Sequence, residues 1–259
     1  MKRTAVLLAV VLLALTGCGG STGSSSGGPA SSATLHGTLT VFAASSLTGV
    51  FGSLGDRLKA ANPGLDVRFN FAGSSALATQ ITQGAPADVF AAASQKTMAT
   101  VTDAKLVQGK PAVFTENVLE IAVPKGNPGH VTGLADFAKP GLKLAICAPS
   151  VPCGAAAATV FAAANVDAKP DSLEEDVKAA LTKVSLGEVD AALVYTTDVR
   201  AAGGTVQGIP FPEAEQAINT YPICVLSAAP NKAAAQAFVD LVRSAAGQAA
   251  LKAAGFRTP

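Results

Sequence analysis

The sequence predicts an α/β protein of two lobes, each a mainly parallel sheet covered by helices. Three observations lead there. Short apolar runs alternate with amphipathic stretches, the pattern of βαβ units and parallel sheets. That alternation comes in two successive series. Beyond a polar N-terminal stretch, about 220 residues remain, enough for one large domain or two smaller ones.

In chain order, Leu39–Ala44 reads as a strand. After Ser45-Ser46, the apolar residues Leu47, Val50, Phe51, Leu54 and Leu58 share one helical face, and Asn62-Pro63-Gly64 stops that helix. Val67–Phe71 is a second strand, followed by Gly73-Ser74-Ser75 and a short helix over Ala76–Thr82. Asp88–Ala92 and Leu119–Val123 are further strands, the latter ending at Pro124. The theme then repeats with strand Leu142–Cys147, helix Ala155–Ala164, helix Glu175–Leu186, strand Ala191–Tyr195, strand Ile223–Ser227 and helix Lys232–Ala245. Ligands of such folds bind beyond the carboxyl ends of the strands, and the cleft between two lobes is the natural site.

The N-terminus is of another kind. Lys2 and Arg3 precede an apolar run, Ala5–Leu15, of signal-peptide length and too short to span a bilayer stably. It ends in Leu15-Thr16-Gly17-Cys18, which resembles the lipobox of bacterial lipoproteins, in which that cysteine is lipidated and becomes the new N-terminus. Residues 1–17 are therefore expected to be a signal peptide, and 18–37 a lipid-anchored flexible tether rich in Gly, Ser, Ala, Thr and Pro. The expected location is the extracytoplasmic face of the cell membrane, with the lipid anchor as the only membrane contact.

Lys and Arg number 19 against 18 Asp and Glu; leaving out Lys2 and Arg3 turns +1 into −1. No basic stripe or aromatic-rich basic patch is present, which argues against a nucleic-acid partner. Of the four cysteines, Cys147 and Cys153 are close in sequence and are the favoured disulfide in an oxidising exterior. Cys224 lies in an apolar run and reads as a buried thiol.

Four places share one design. Ser45-Ser46, Gly73-Ser74-Ser75, Pro152-Cys153-Gly154 and Glu174-Glu175-Asp176-Val177 each open a helix. The first amide N–H groups of a helix lack intrahelical partners and lie at the positive end of its dipole, so they attract anions. A serine at such a turn is by itself more often an N-cap than a ligand. The acids at 174–176 read as structural complements to the helix dipole. Neither Lys nor Arg occurs in Ala43–Leu47, Phe71–Leu77 or Pro149–Ala158. Neutral donors suit an acceptor-only ligand, since a proton kept by the ligand would be left unpaired at about 1–3 kcal/mol. That favours sulfate, molybdate or tungstate over phosphate and does not separate those three.

Val41–Leu47 (VFAASSL), Phe71–Ala78 (FAGSSALA) and Gly84–Phe90 (GAPADVF) closely resemble the periplasmic molybdate-binding component of ABC importers. Val151-Pro152-Cys153-Gly154, Glu175-Asp176-Val177, Val194-Tyr195 and Tyr221-Pro222 follow in the same order, so the resemblance covers roughly residues 38 to 259. It implies a type II periplasmic-binding fold with lobe I at 38–119 and 226–259, lobe II at 120–225, and a two-strand hinge. Molybdate or tungstate would lie between the lobes. Ser46 and Ser74 would donate through side chain and backbone, Cys153 and Val177 through backbone N–H groups, and Tyr195 through its phenol. The family pattern has Ala where Cys153 stands, and the turn before it is one residue shorter here, so a Cys147–Cys153 bridge would restore rigidity. A permease with its ATPase is the implied partner, and the chain is expected to be monomeric, without a cofactor.

Two other readings remain. A receptor for sulfate or another small oxyanion would use the same fold. An enzyme would need an activated nucleophile, yet no Gly-x-Ser-x-Gly elbow occurs at any of the strand-to-helix turns and neither His36 nor His130 lies in a triad-building turn. Those two histidines are isolated, so a metal-ion site is not expected either.

Overall fold

The structure, a computed structural model, describes residues 34–259. The expected signal peptide, Cys18 and the tether as far as residue 33 lie outside the described residues; His36 and Gly37, expected in the tether, instead begin the first strand. The first sheet contains β1 (His36–Ala44), β2 (Gly64–Ala72), β3 (Val89–Ala91), β4 (Val107–Asn117) and β10 (Asn219–Leu226), ordered β2-β1-β3-β10-β4. The second contains β5 (Leu119–Pro124), β6 (Leu144–Cys147), β7 (Ser172–Glu174), β8 (Ala191–Tyr195) and β9 (Val206–Ile209), ordered β7-β6-β8-β5-β9.

The two sheets have the same plan. In the first, β1 pairs in parallel with β2 and β3, while β10 is antiparallel to both β3 and β4. In the second, β6 pairs in parallel with β7 and β8, while β5 is antiparallel to both β8 and β9. Each sheet thus has four strands in one direction and one reversed. The reversed strands β5 and β10 are those the chain enters on crossing from the other sheet. The two crossings form the two-segment hinge of a type II periplasmic-binding fold.

The helices cover both sheets: α1 (Thr48–Ala61), α2 (Ser74–Thr82), α3 (Gln95–Asp103), α4 (Pro152–Ala163), α5 (Val177–Ser185), α6 (Thr196–Ala201), α7 (Lys232–Arg243) and α8 (Ala245–Ala253). On α1, Val50, Phe51, Leu54 and Leu58 are buried, as their spacing requires. Phe51 packs edge-on against Phe238 of α7, at 5.2 Å between ring centres. The second lobe has its own core, in which Val160 and Phe161 of α4 and Val184 of α5 meet strands β5, β6 and β8.

Several elements differ from expectation. The return crossing precedes Asn219, so residues 219–225, expected in lobe II, belong to the first sheet, where β10 fills the gap between β3 and β4. Strand β4 was not expected. Gly109 (φ 72°) and Pro111 interrupt its alternation, and its pairing with β10 carries register shifts that accommodate them. Helices α3, α6 and α8 and strands β7 and β9 are likewise additions. Helix α2 begins at Ser74 rather than Ala76, and α4 at Pro152 rather than Ala155.

Among the described residues, no helix is long and apolar enough to cross a membrane, and no cluster of His, Cys, Asp or Glu could hold a metal ion.

Candidate functional site

All five candidate ligand residues line one small cavity between the lobes. Ala44, Ser45, Ser46, Gly73, Ser74 and Ala93 come from the first lobe; Val151, Pro152, Cys153, Asp176, Val177 and Tyr195 come from the second. The five are withdrawn from solvent: Ser46 is 8 % exposed, Cys153 5 %, Ser74 and Val177 2 %, and Tyr195 1 %. The two walls touch. The Ser75 hydroxyl donates to the Ser150 carbonyl across the cleft at 2.7 Å. A Cβ placed on Gly73 would lie 2.4 Å from the Glu175 carbonyl oxygen. The lobes are therefore closed over the cavity.

The serines are not N-caps. After β1 the chain makes a 3-10 turn over Ser45–Leu47 before α1 starts, and no side chain caps either element. The Ser46 hydroxyl instead lies against that of Tyr221, with Oγ and OH 2.9 Å apart in the buried interior. Helix α2 follows Gly73, again without a side-chain cap, and the Ser74 oxygen accepts from the Ala93 N–H at 3.0 Å. Each hydroxyl is held by a protein donor or hydroxyl on one side and lines the cavity.

Across the cleft two helix starts converge. Helix α4 has Pro152 in its first turn, where the missing N–H costs nothing, and Cys153 follows. A disulfide joins Cys153 to Cys147 at the end of β6, tying the helix start to its strand. Gly154 allows this tight turn: a Cβ there would meet the Ala148 carbonyl oxygen at 1.9 Å. Helix α5 is capped by Asp176, whose carboxylate accepts from the Lys178 and Ala179 N–H groups at 2.7 and 3.0 Å. That carboxylate is thus engaged by its own helix, which leaves Val177, at the first helical position, without an intrahelical partner for its N–H. Asp176 is the one charged residue in the lining.

Tyr195 ends β8. Its backbone N–H donates to the buried Asp198 carboxylate at 3.2 Å, and Asp198 is in turn paired with Lys178 at 3.0 Å. The Tyr195 hydroxyl is buried and has no partner within 3.5 Å, although it approaches the Tyr221 hydroxyl more loosely and the two rings lie edge-on with centres 6.2 Å apart. Burial above all, then the nearby Tyr221 and Asp198, pushes its pKa well above the ordinary tyrosine range. The phenol is therefore protonated, and a donor, at any physiological pH.

The cavity thus offers hydroxyls and unpaired helix-start amides from two lobes, without Lys or Arg in its lining. Such donors suit a small, dehydrated anion with acceptors all round. Residues outside the expected ligand set also contribute: Gly73 through its close approach, Tyr221 and Asn117 behind Ser46, and Ala93 behind Ser74. Only Gly73 and Tyr221 carried any signal, as members of the quoted motifs.

A family model described as bacterial extracellular solute-binding protein matches residues 39–257. The chain is 42 % identical over 257 residues to the Mycobacterium bovis protein named molybdate-binding protein ModA, covering 99 % of this chain and 97 % of that one. It is 32 % identical to the Escherichia coli protein of the same name, covering 85 % and 89 %. Among solved structures, the Azotobacter vinelandii periplasmic molybdate-binding protein superposes with a TM-score of 0.72 at 22 % identity, covering 85 % of this chain and 99 % of that one. The sulfate-binding protein SubI of Mycobacterium tuberculosis superposes with a TM-score of 0.70 at 19 % identity, covering 86 % and 87 %. These two structures share the fold. By the extent of the family match and the end-to-end relatives, the chain belongs to the bacterial extracellular solute-binding proteins.

Proposed function

We propose that this protein captures molybdate, and with it tungstate, on the outer side of the cytoplasmic membrane and delivers the ion to the permease of an ABC importer. Ser46 and Ser74 donate from the first lobe through hydroxyl and backbone. The Cys153 and Val177 N–H groups and the Tyr195 phenol donate from the second. The observation that carries the reading is the buried, unpartnered Tyr195 hydroxyl, which lines the same cavity as both serines. Leaving such a group unsatisfied costs about 1–3 kcal/mol, a cost that an anion accepting from it would remove. The relatives named for molybdate binding, aligned over nearly the whole chain, support the choice of ion.

The lobes act as a clamp. The ligand stabilises the closed arrangement because only there do donors from both sides reach it. In the same reading Cys18 carries the lipid that holds the protein at the membrane as a monomer, so Cys18→Ala releases it into the medium. Sulfate is the second reading, supported by the shared fold with SubI. Calorimetric titration with molybdate, tungstate, sulfate and phosphate separates the two. Molybdate and tungstate are expected to bind at least a hundredfold more tightly than sulfate; a preference for sulfate would overturn the choice of ion.

A further inference from the structure

The hydroxyls of Ser46 and Ser74 could in principle either donate to a ligand or accept from it, and that choice decides whether the site discriminates by protonation state. The groups behind them settle it. Asn117 ends β4 at the first crossing between the lobes. Its Oδ1 accepts from the Val118 N–H at 3.1 Å and from the Thr196 hydroxyl at 3.2 Å, which fixes the amide's orientation. Its Nδ2 can only donate, and it does so to Thr197 Oγ1 at 2.8 Å and to the Tyr221 hydroxyl oxygen at 3.5 Å. Tyr221 has one proton. With its oxygen accepting from Asn117, that proton goes to Ser46 Oγ, 2.9 Å away. The Ser46 oxygen is then an acceptor toward the protein, and its own proton is left for the cavity. The Ser74 oxygen accepts from the other direction from the Ala93 N–H, a group that can only donate, so its proton too is left for the cavity.

From this geometry we infer that Asn117, Tyr221 and the Ala93 amide are positioning groups that set the polarity of the two ligand serines, leaving the proton of each to point into the cleft. The consequence is specificity. A fully deprotonated tetrahedral dianion accepts from every group it meets. An anion of the same shape that keeps one proton finds hydroxyl protons facing it, must turn one of them away to gain an acceptor, and so loses a hydrogen bond on entering. The inference rests on the oxyanion reading of the cavity but not on which dianion fills it.

The test uses Tyr221→Phe, which removes the phenol oxygen and keeps the ring that packs edge-on to Phe114 and Phe256. Affinities are measured by calorimetry for molybdate, sulfate and arsenate, the last retaining a proton near neutral pH. In Tyr221→Phe the Ser46 hydroxyl is free to turn. Its molybdate Kd is expected to rise about tenfold, and its preference for molybdate over arsenate to narrow by a similar factor. The same substitution in a Ser46→Ala background is expected to change neither value further, because Tyr221 acts through Ser46. A merely structural contribution of Tyr221 would instead add to the Ser46→Ala loss. Asn117→Asp provides a second route: a carboxylate there accepts the hydrogen bond of the Tyr221 hydroxyl, reverses the chain and weakens molybdate more than Tyr221→Phe does. An unchanged molybdate-to-arsenate ratio in both variants, or additive losses in the double variant, overturns the polarity relay while leaving the binding function standing. Failure of the wild type to bind any of the dianions overturns both.

Discussion

Tyr195 illustrates a conflict between folding and binding within one side chain. Its ring fills the junction between β8 and the cleft, and its hydroxyl has no partner in the closed protein. Replacing it with Phe removes that unsatisfied group, so thermal unfolding without ligand is expected to occur at the same or a higher temperature. Molybdate affinity should fall about 10- to 100-fold, the usual worth of a hydrogen bond to a charged group. A loss of ligand-free stability of more than about 1 kcal/mol would show that the hydroxyl is satisfied within the protein after all. Cys224 is the contrasting buried residue: burial lifts its thiol pKa to about 12, so it is an inert core group. That role was legible from its apolar run. The orphaned state of the Tyr195 phenol was not, because it depends on what fails to reach it from elements distant in sequence.

At the scale of elements, the second lobe presents α4 and α5 by different means. The start of α4 is held by the Cys147–Cys153 bridge and the close turn at Gly154. Closing so short a loop in the unfolded chain is worth about 2 kcal/mol. The Cys147→Ser/Cys153→Ser double variant should lose roughly that much stability in denaturant unfolding, and it should bind molybdate more weakly because the Cys153 N–H is less well placed. Equal stability and affinity would reject a role for the bridge. A separate local device is the Leu134–Ala138 turn, where burial would raise the Asp136 pKa but Lys139, the Thr132 backbone and hydroxyl and the Gly133 N–H bring it down to about 2. The folded value lies below the ordinary 3.8, so the stabilisation is complete above that pH and is lost as pH falls toward 2. Asp136→Asn should lower the melting temperature at neutral pH and flatten its decline between about pH 4 and 2. The helices with regular apolar spacing, such as α1, were readable one by one. Strand β4 was not, since Gly109 and Pro111 spoil its pattern and only β10 makes it a strand.

At the scale of the whole molecule, closure depends on how nearly the two walls can meet. Gly73 abuts the Glu175 carbonyl, a contact between backbones that cannot yield as a flexible side chain would. Gly73→Ala is therefore a wedge. Each lobe should fold with near-normal stability, while the lobes stay apart and molybdate affinity falls at least tenfold. Small-angle scattering should find the ligand-induced compaction of the wild type missing from the variant. Normal compaction with normal affinity would mean that the cleft has slack at this point.

The amino-acid sequence by itself determined the α/β class, the two series of strands and helices, the preferred disulfide, and the short motifs whose serines, cysteine, valine and tyrosine line the cleft. Those features are local: hydrophobic period, turn chemistry and spacing act within a dozen residues of each other. Tertiary structure decided the rest. It put residues 219–225 into the first sheet, released Ser46 and Ser74 from capping, and brought Asn117 and Tyr221 behind Ser46 across separations of 71 and 175 residues. Pairings of that range are chosen by which buried donors and acceptors must find partners once both sheets are in place, and no local pattern encodes them.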